Sequence, residues 1–335
     1  MTSTTPRTPG QRRPRTAGFT MSEMMVALVL LGLVMGALFT VLLRQQRFYR
    51  SANDLIDTRT QVRQAVAMLP PDLRTISTGD TPNNTDIYEA SDKAIEFRAI
   101  FGSSFICRKL SATRIILPPV DLAKDTRLTA WMRKPVVGDS ILVYDDGKTV
   151  GGDDDSWKAR KITAVTELAA TSTDACLVTS GFVQAADVTA GRVSYEINVQ
   201  SGTGHEFLST TAQGAPIRFF RRRRYELYQP TGSTSWYLGR YDCDHAAGTC
   251  PALSPVSGPF AAYSATVANS GLSFLYYKAD GTAFVPANTT ADKAQIARIQ
   301  LVARADTRSP IDMPGRAKAT VRDSLSYDIA LRNTK

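Results

Sequence analysis

The chain has 335 residues, 43% hydrophobic and 21% charged, a balance that excludes a disordered protein and allows one or two folded domains. The formal net charge is +9, but Arg7, Arg12, Arg13 and Arg15 all precede the first acid, Glu23, so the remainder is only mildly basic and composition makes no case for nucleic acid. His205 and His245 are the only imidazoles, and no Gly-x-Ser-x-Gly, HExxH or phosphate loop occurs, so no enzymatic activity is expected.

The first predicted element is the uncharged run Met24–Leu43. It matches the roughly 20 residues that a helix needs to span a hydrocarbon core. A cleavable secretory signal would have an apolar region of roughly 7–15 residues and small residues at its cleavage site. The run is followed instead by Arg44-Gln45-Gln46-Arg47-Phe48-Tyr49-Arg50. Glu23 stands at the head of the run, where a carboxylate in lipid costs on the order of 2.5–3.5 kcal/mol. Such a charge needs an opposite charge beside it. Gly32 and Gly36 form a GxxxG inside the run, a spacing that lets membrane helices approach closely, although glycine is also simply frequent in such helices.

A basic leader, Gly18, the aromatic Phe19 and then Glu23 together resemble the processing motif of type IV prepilins. The resemblance implies that residues 1–18 are a leader, cut between Gly18 and Phe19 by a membrane-embedded prepilin peptidase. The same enzyme would methylate the new N-terminus at Phe19. Glu23 would then pair with the N-terminal ammonium of a neighbouring subunit, and 19–43 would serve as a transmembrane helix and later as filament core. The partners implied are other major and minor pilins, the peptidase/N-methyltransferase and an inner-membrane assembly platform. The location implied is a single pass through the inner membrane, with the globular part outside the cytoplasm and finally on the pilus at the cell surface.

Beyond the apolar run, Phe48, Leu55, Val62 and Leu69 recur every seven residues, with Ala52 and Val66 between them. This is one apolar stripe on an otherwise polar helix over 44–70. Pro70-Pro71 is expected to stop or kink that helix. A first β-rich part, 71–135, contains the strand patterns Ala94–Ile100, Ser104–Leu110 and Thr113–Leu117. Val137–Tyr144, Trp157–Thr166 and Ala175–Thr179 suggest an inserted β subdomain over 136–192. In the last part, 193–335, Pro216–Tyr228 and Ser235–Tyr241 flank Gln229–Thr234 as a hairpin. Leu272–Tyr277, Ala294–Arg304 and Asp323–Arg332 are expected to complete one antiparallel sheet with it, against which the helix stripe packs.

The fold class expected is therefore α+β, a long N-terminal helix packed on an antiparallel β-rich head, pilin-like. A helix followed by a β-rich head, with the strand Gly271–Tyr277 and two closing strands, is similar to the large minor pilins and, secondly, to the minor pseudopilins of type II secretion. Size and the inserted β segment favour the pilus within that resemblance. From a different class, the alternative is a simple membrane-anchored adhesin or DNA-binding protein.

Four cysteines, Cys107, Cys176, Cys243 and Cys250, favour disulfides if the head is exported. Cys243 and Cys250 bracket a short loop turned by Gly248, which leaves Cys107 with Cys176 by elimination. The rival is a metal site on Cys243, His245 and Cys250. No cofactor is expected, with one weak calcium candidate. Asp145, Asp146, Asp153, Asp154 and Asp155 bracket the loop Val150-Gly151-Gly152 and offer the oxygen ligands calcium takes, although acidic loops are commonly just solvated turns. Arg221–Arg224, near Arg218 and Tyr225, offers phosphate contacts to DNA, but nucleic acid is not expected as a partner. The plainer expectation is a solvated edge strand kept from aggregating by its charge.

Overall fold

A computed structural model describes residues 18, 20–78, 85–123, 127–147, 156–243, 250–311 and 317–331. The chain divides into two units, Met1–Asp54 and Leu55–Lys335. Helix α1, Met21–Leu73, supplies the structure of the first unit, and every residue there from Met21 to Arg50 is exposed. Among the described residues, α1 is the one helix long and apolar enough to cross a membrane.

In the second unit α1 buries Thr58, Val62, Ala65, Val66, Leu69, Pro70 and Leu73. These positions are three or four apart, so they share one helix face. Each fully buried Leu or Val contributes roughly 1.5–3 kcal/mol relative to exposure. The buried stripe differs from the predicted one at its start: Phe48 is 70% exposed, and burial begins at Thr58. It differs at its end as well. Pro70-Pro71 does not stop the helix, which continues to Leu73, and the Arg74 N–H bonds the Pro70 carbonyl at 3.0 Å. Both prolines fall near the end of the helix, and each forfeits one intrahelical bond for want of an N–H. Burial of Leu69 and Leu73 in the head's core offsets what is lost.

The head is antiparallel throughout its pairings. Its first strands are β1 (Ile87–Ala90), β2 (Ala94–Phe105), β3 (Arg108–Lys109), β4 (Arg114–Leu117), β5 (Ala130–Trp131), β6 (Ser140–Asp145), β7 (Ser156–Leu168) and β8 (Ser194–Val199). They are followed by β9 (Pro216–Tyr228), β10 (Trp236–Cys243), β11 (Ser254–Phe260), β12 (Leu272–Tyr277), β13 (Ala283–Phe284), β14 (Arg298–Asp306) and β15 (Arg322–Ala330). An 11-stranded sheet runs β1-β2-β9-β6-β7-β8-β4-β3, with β10 and β11 added beside β9 and β5 beside β2. A separate 4-stranded sheet runs β13-β12-β14-β15.

Two expectations are corrected here. The strands after 216 do not form one sheet, because β9, β10 and β11 join the large sheet while β12 to β15 make the small one. Nor is 136–192 a self-contained insert. β6 pairs with β9, and β7 pairs with β8, so both strands are interior members of the large sheet. Their Ile141, Val143 and Ile162 share a core with Ile115, Ile197 and Phe219 from outside the segment. Alternation identifies the buried face of a strand but not the strand beside it.

The strand β9 forks the large sheet. One side pairs with β2 along its length; the other pairs with β6 at Ile217–Phe220 and with β10 at Arg222–Tyr228. Ile217 and Phe219 lie in one hydrophobic core, whereas Tyr225 and Leu227 lie in another, with α1 and the small sheet. The basic run falls between these two cores. Arg221 bonds Asp139, and Arg223 bonds Asp242 and Asp72, each at 2.6 Å. Arg222 bonds Glu96, while Arg224 bonds Glu89 and Glu226. The edge-strand reading is therefore overturned: β9 is central, with Arg221 and Arg223 ion-paired on the face that carries both cores and Arg222 and Arg224 ion-paired on the opposite face. Burial acts to lower the Arg223 pKa, but its hydrogen bond to Asp242 and the charge of Asp72 raise it overall.

Candidate processing and assembly site at the helix N-terminus

The start of α1 is set by two side chains. The Thr20 carbonyl accepts the first helical bond, from the Met24 N–H at 3.1 Å. The Thr20 hydroxyl accepts from the Glu23 N–H at 3.3 Å, and the Glu23 carboxylate accepts from the Thr20 N–H at 2.9 Å. This reciprocal pair is a capping box, which satisfies two of the donors that a helix start leaves without partners. Thr20 also donates its hydroxyl to the same carboxylate at 2.9 Å. Both side-chain and backbone donors meet Oε2, which leaves Oε1 with capacity to accept from another group. A carboxylate in the first turn is further favoured by the helix dipole, by about 0.3–1 kcal/mol.

Gly18 is exposed, and a Cβ built on it would meet nothing within 4 Å. Phe19 lies outside the described residues. Exposed Glu23 therefore sits at the helix start, a few residues from the Gly18–Phe19 bond and directly ahead of the apolar run. Gly32 and Gly36 lie within that run, and a Cβ on either meets nothing within 4 Å. Thr20 was the residue hidden by the processing motif. Its signal is the spacing Thr-x-x-Glu ahead of an apolar run, which is readable in the sequence.

The other residues named from the sequence belong to the second unit. Cys107 is bonded to Cys176 and Cys243 to Cys250, and no described cysteine is free. Glu96 lies near the second pair, whose sulfurs are joined to each other and in that state do not offer thiolate ligands. His245 lies outside the described residues, and His205 is exposed. Asp145 is buried and accepts from the Thr210 hydroxyl at 2.7 Å, whereas Asp146 is exposed. Asp153, Asp154 and Asp155 lie outside the described residues. The carboxylates around Arg221–Arg224 already occupy the groups that phosphate would need.

Residues 13–39 match the prokaryotic N-terminal methylation motif. The match covers the leader end, Gly18, Phe19, Glu23 and most of the apolar run. No curated protein and no solved structure gives a significant match to the chain. The motif implies processing by a prepilin peptidase and assembly with other pilins, and the apolar helix is compatible with single-pass anchoring. By its methylation motif and the apolar helix that follows, this chain is type IV pilin-like or pseudopilin-like.

Proposed function

We propose that the chain is a minor pilin, a structural subunit of a type IV pilus that acts in filament initiation or at the tip. The observation that carries this reading is the methylation motif at residues 13–39, placed directly on the start of the apolar helix. In this reading the peptide bond between Gly18 and Phe19 is hydrolysed, and the Phe19 ammonium so released is methylated. Glu23 then meets the ammonium of a neighbouring subunit. The capping box does not obstruct this, since both bonds from Thr20 fall on one carboxylate oxygen. The GxxxG of Gly32 and Gly36 allows close helix packing, the head lies outside the cytoplasm, and the chain acts without catalysis or a cofactor. A minor pseudopilin of a type II secretion system shares every one of these N-terminal features.

Mass spectrometry of the mature N-terminus tests the reading. Methylated Phe19 is expected, whereas cleavage near residue 40, or none, overturns it. Glu23→Ala separates a filament subunit from a simple anchored protein. The subunit would be processed yet fail to enter filaments; a simple anchor would insert as well as before.

A further inference from the structure

The small sheet ends on β15. It pairs with β14 in unbroken register, from Arg322 opposite Asp306 to Ala330 opposite Arg298. Among the described residues it has no strand on its other side. A free edge presents unpaired N–H and C=O groups, and proteins usually blunt such an edge with a bulge, a proline, a lysine or a short strand. β15 is 9 residues long and contains no proline, lysine or bulge. Its charges are all engaged, Arg322 with Asp306 at 2.7 Å, Asp323 with Arg59 at 3.7 Å and Asp328 with Arg298 at 3.6 Å, so they guard the edge less than free ones would.

Beside this edge lies a groove of about 320 Å³. Val66, Ala67 and Pro70 of α1 line one wall, and Leu325 and Tyr327 of β15 the other. Leu325 is 38% exposed there, although apolar. Arg63 and Arg74 also line the groove, and Arg74 donates to the Tyr327 hydroxyl at 2.5 Å. Among the described residues neither arginine is paired with a carboxylate, in contrast to Arg221–Arg224, all of which are. Two cations without acids flank an apolar slot along an open strand edge.

We propose that β15 and this groove receive an extended segment of another protein chain, apolar on one face and acidic at one or two positions. The segment adds to the 4-stranded sheet as a further strand. Its backbone takes the free groups of β15, and alternate side chains point toward α1. There Val66, Pro70 and Leu325 take the apolar side chains, while Arg63 and Arg74 take a carboxylate. The volume is at the low end of about 300–1,000 Å³ for binding pockets, enough for a few side chains and not for a folded element. This surface is independent of the leader and of Glu23.

The test uses the full chain in detergent micelles. The probe is a labelled, end-capped octapeptide alternating valine with glutamate or threonine, compared with a version carrying lysine for glutamate. The expected result is saturable binding of the acidic probe, with slowed amide hydrogen exchange confined to β15. Arg63→Glu combined with Arg74→Glu should weaken binding at least about tenfold, as loss of close charge pairs does. Leu325→Arg should abolish it, and near-UV circular dichroism checks that each variant is folded. Arg63→Gln provides a milder variant if the double reversal does not fold. No binding of the acidic probe at about 1 mM, the weak limit of specific recognition, overturns the proposal. Equal binding of the lysine probe, or binding that leaves β15 exchange unchanged, overturns it too. Concentration-dependent self-association that protects β15 without the probe would assign the edge to a second copy and overturn it.

Discussion

Replacing Asp72 by Ala tests how α1 is held to the head. Asp72 lies in the last turn of α1, and its Oδ2 accepts from the Arg223 guanidinium and from the Tyr225 hydroxyl, each at 2.6 Å. Arg223 keeps its bonds to Asp242 after the change, so no charge is orphaned. What is lost is a charge-assisted bond, about 1.5–3 kcal/mol before allowance for solvent, and the only acceptor described for a buried hydroxyl, about 1–3 kcal/mol. The Asp72 side chain is 26% exposed, so screening trims the first figure. The expected cost is about 2–4 kcal/mol, read as a lower midpoint in urea at unchanged slope. The internal control is Asp323→Ala. Asp323 pairs with Arg59 of the same helix at 3.7 Å, with both side chains exposed, and should cost less than about 1 kcal/mol. Asp72→Asn keeps an acceptor and should fall between the two. Equal costs for the two alanine variants, measured on the full chain in detergent, would refute the reasoning.

Three further outcomes can be measured. Removing the Cys107–Cys176 disulfide should cost more than removing Cys243–Cys250, about 4 against about 2.5 kcal/mol, since their sequence separations are 69 and 7; denaturant unfolding of the two paired-serine variants checks the order. Gly271→Ala would bring a Cβ to 1.9 Å from the Ala261 carbonyl oxygen, a backbone atom that cannot swing away. It should cost about 3 kcal/mol or more, while Gly32→Ala leaves the thermal midpoint of the head unchanged. Burial works to raise the Asp242 pKa, but the bond from Arg223 and the charges of Arg223, Arg240 and Arg221 lower it overall. Its folded pKa is therefore depressed, and its contribution is present above the ordinary carboxylate value of about 3.9 and lost as pH falls below it. Acid titration of stability should show a shallower loss below about pH 4 in Asp242→Asn than in the parent chain.

The N-terminal features were legible because their physics is local. The apolar run and the acid at its head depend on residues close together in the chain, and so does the Thr20–Glu23 cap, which the sequence reading passed over although its Thr-x-x-Glu spacing was there to be read. Periodicity likewise found Val62, Val66 and Leu69, and the turn residues of Gln229–Thr234 found the β9–β10 hairpin, whose register begins at Tyr228 opposite Tyr237. Other features were beyond any local reading. The partners of Arg221, Arg222, Arg223 and Arg224 at Asp139, Glu96, Asp72 and Glu89 lie 82, 126, 151 and 135 residues away. Four arginines in a strand look like an edge until those acids are brought beside them. Sequence alone thus determined the helix, its processing and assembly motif and the apolar faces of the strands. The tertiary structure decided which strand became central, how the strands divided into two sheets and which edge stayed open. Those outcomes depend on pairing between distant segments, and alternation along one strand carries no record of its neighbour.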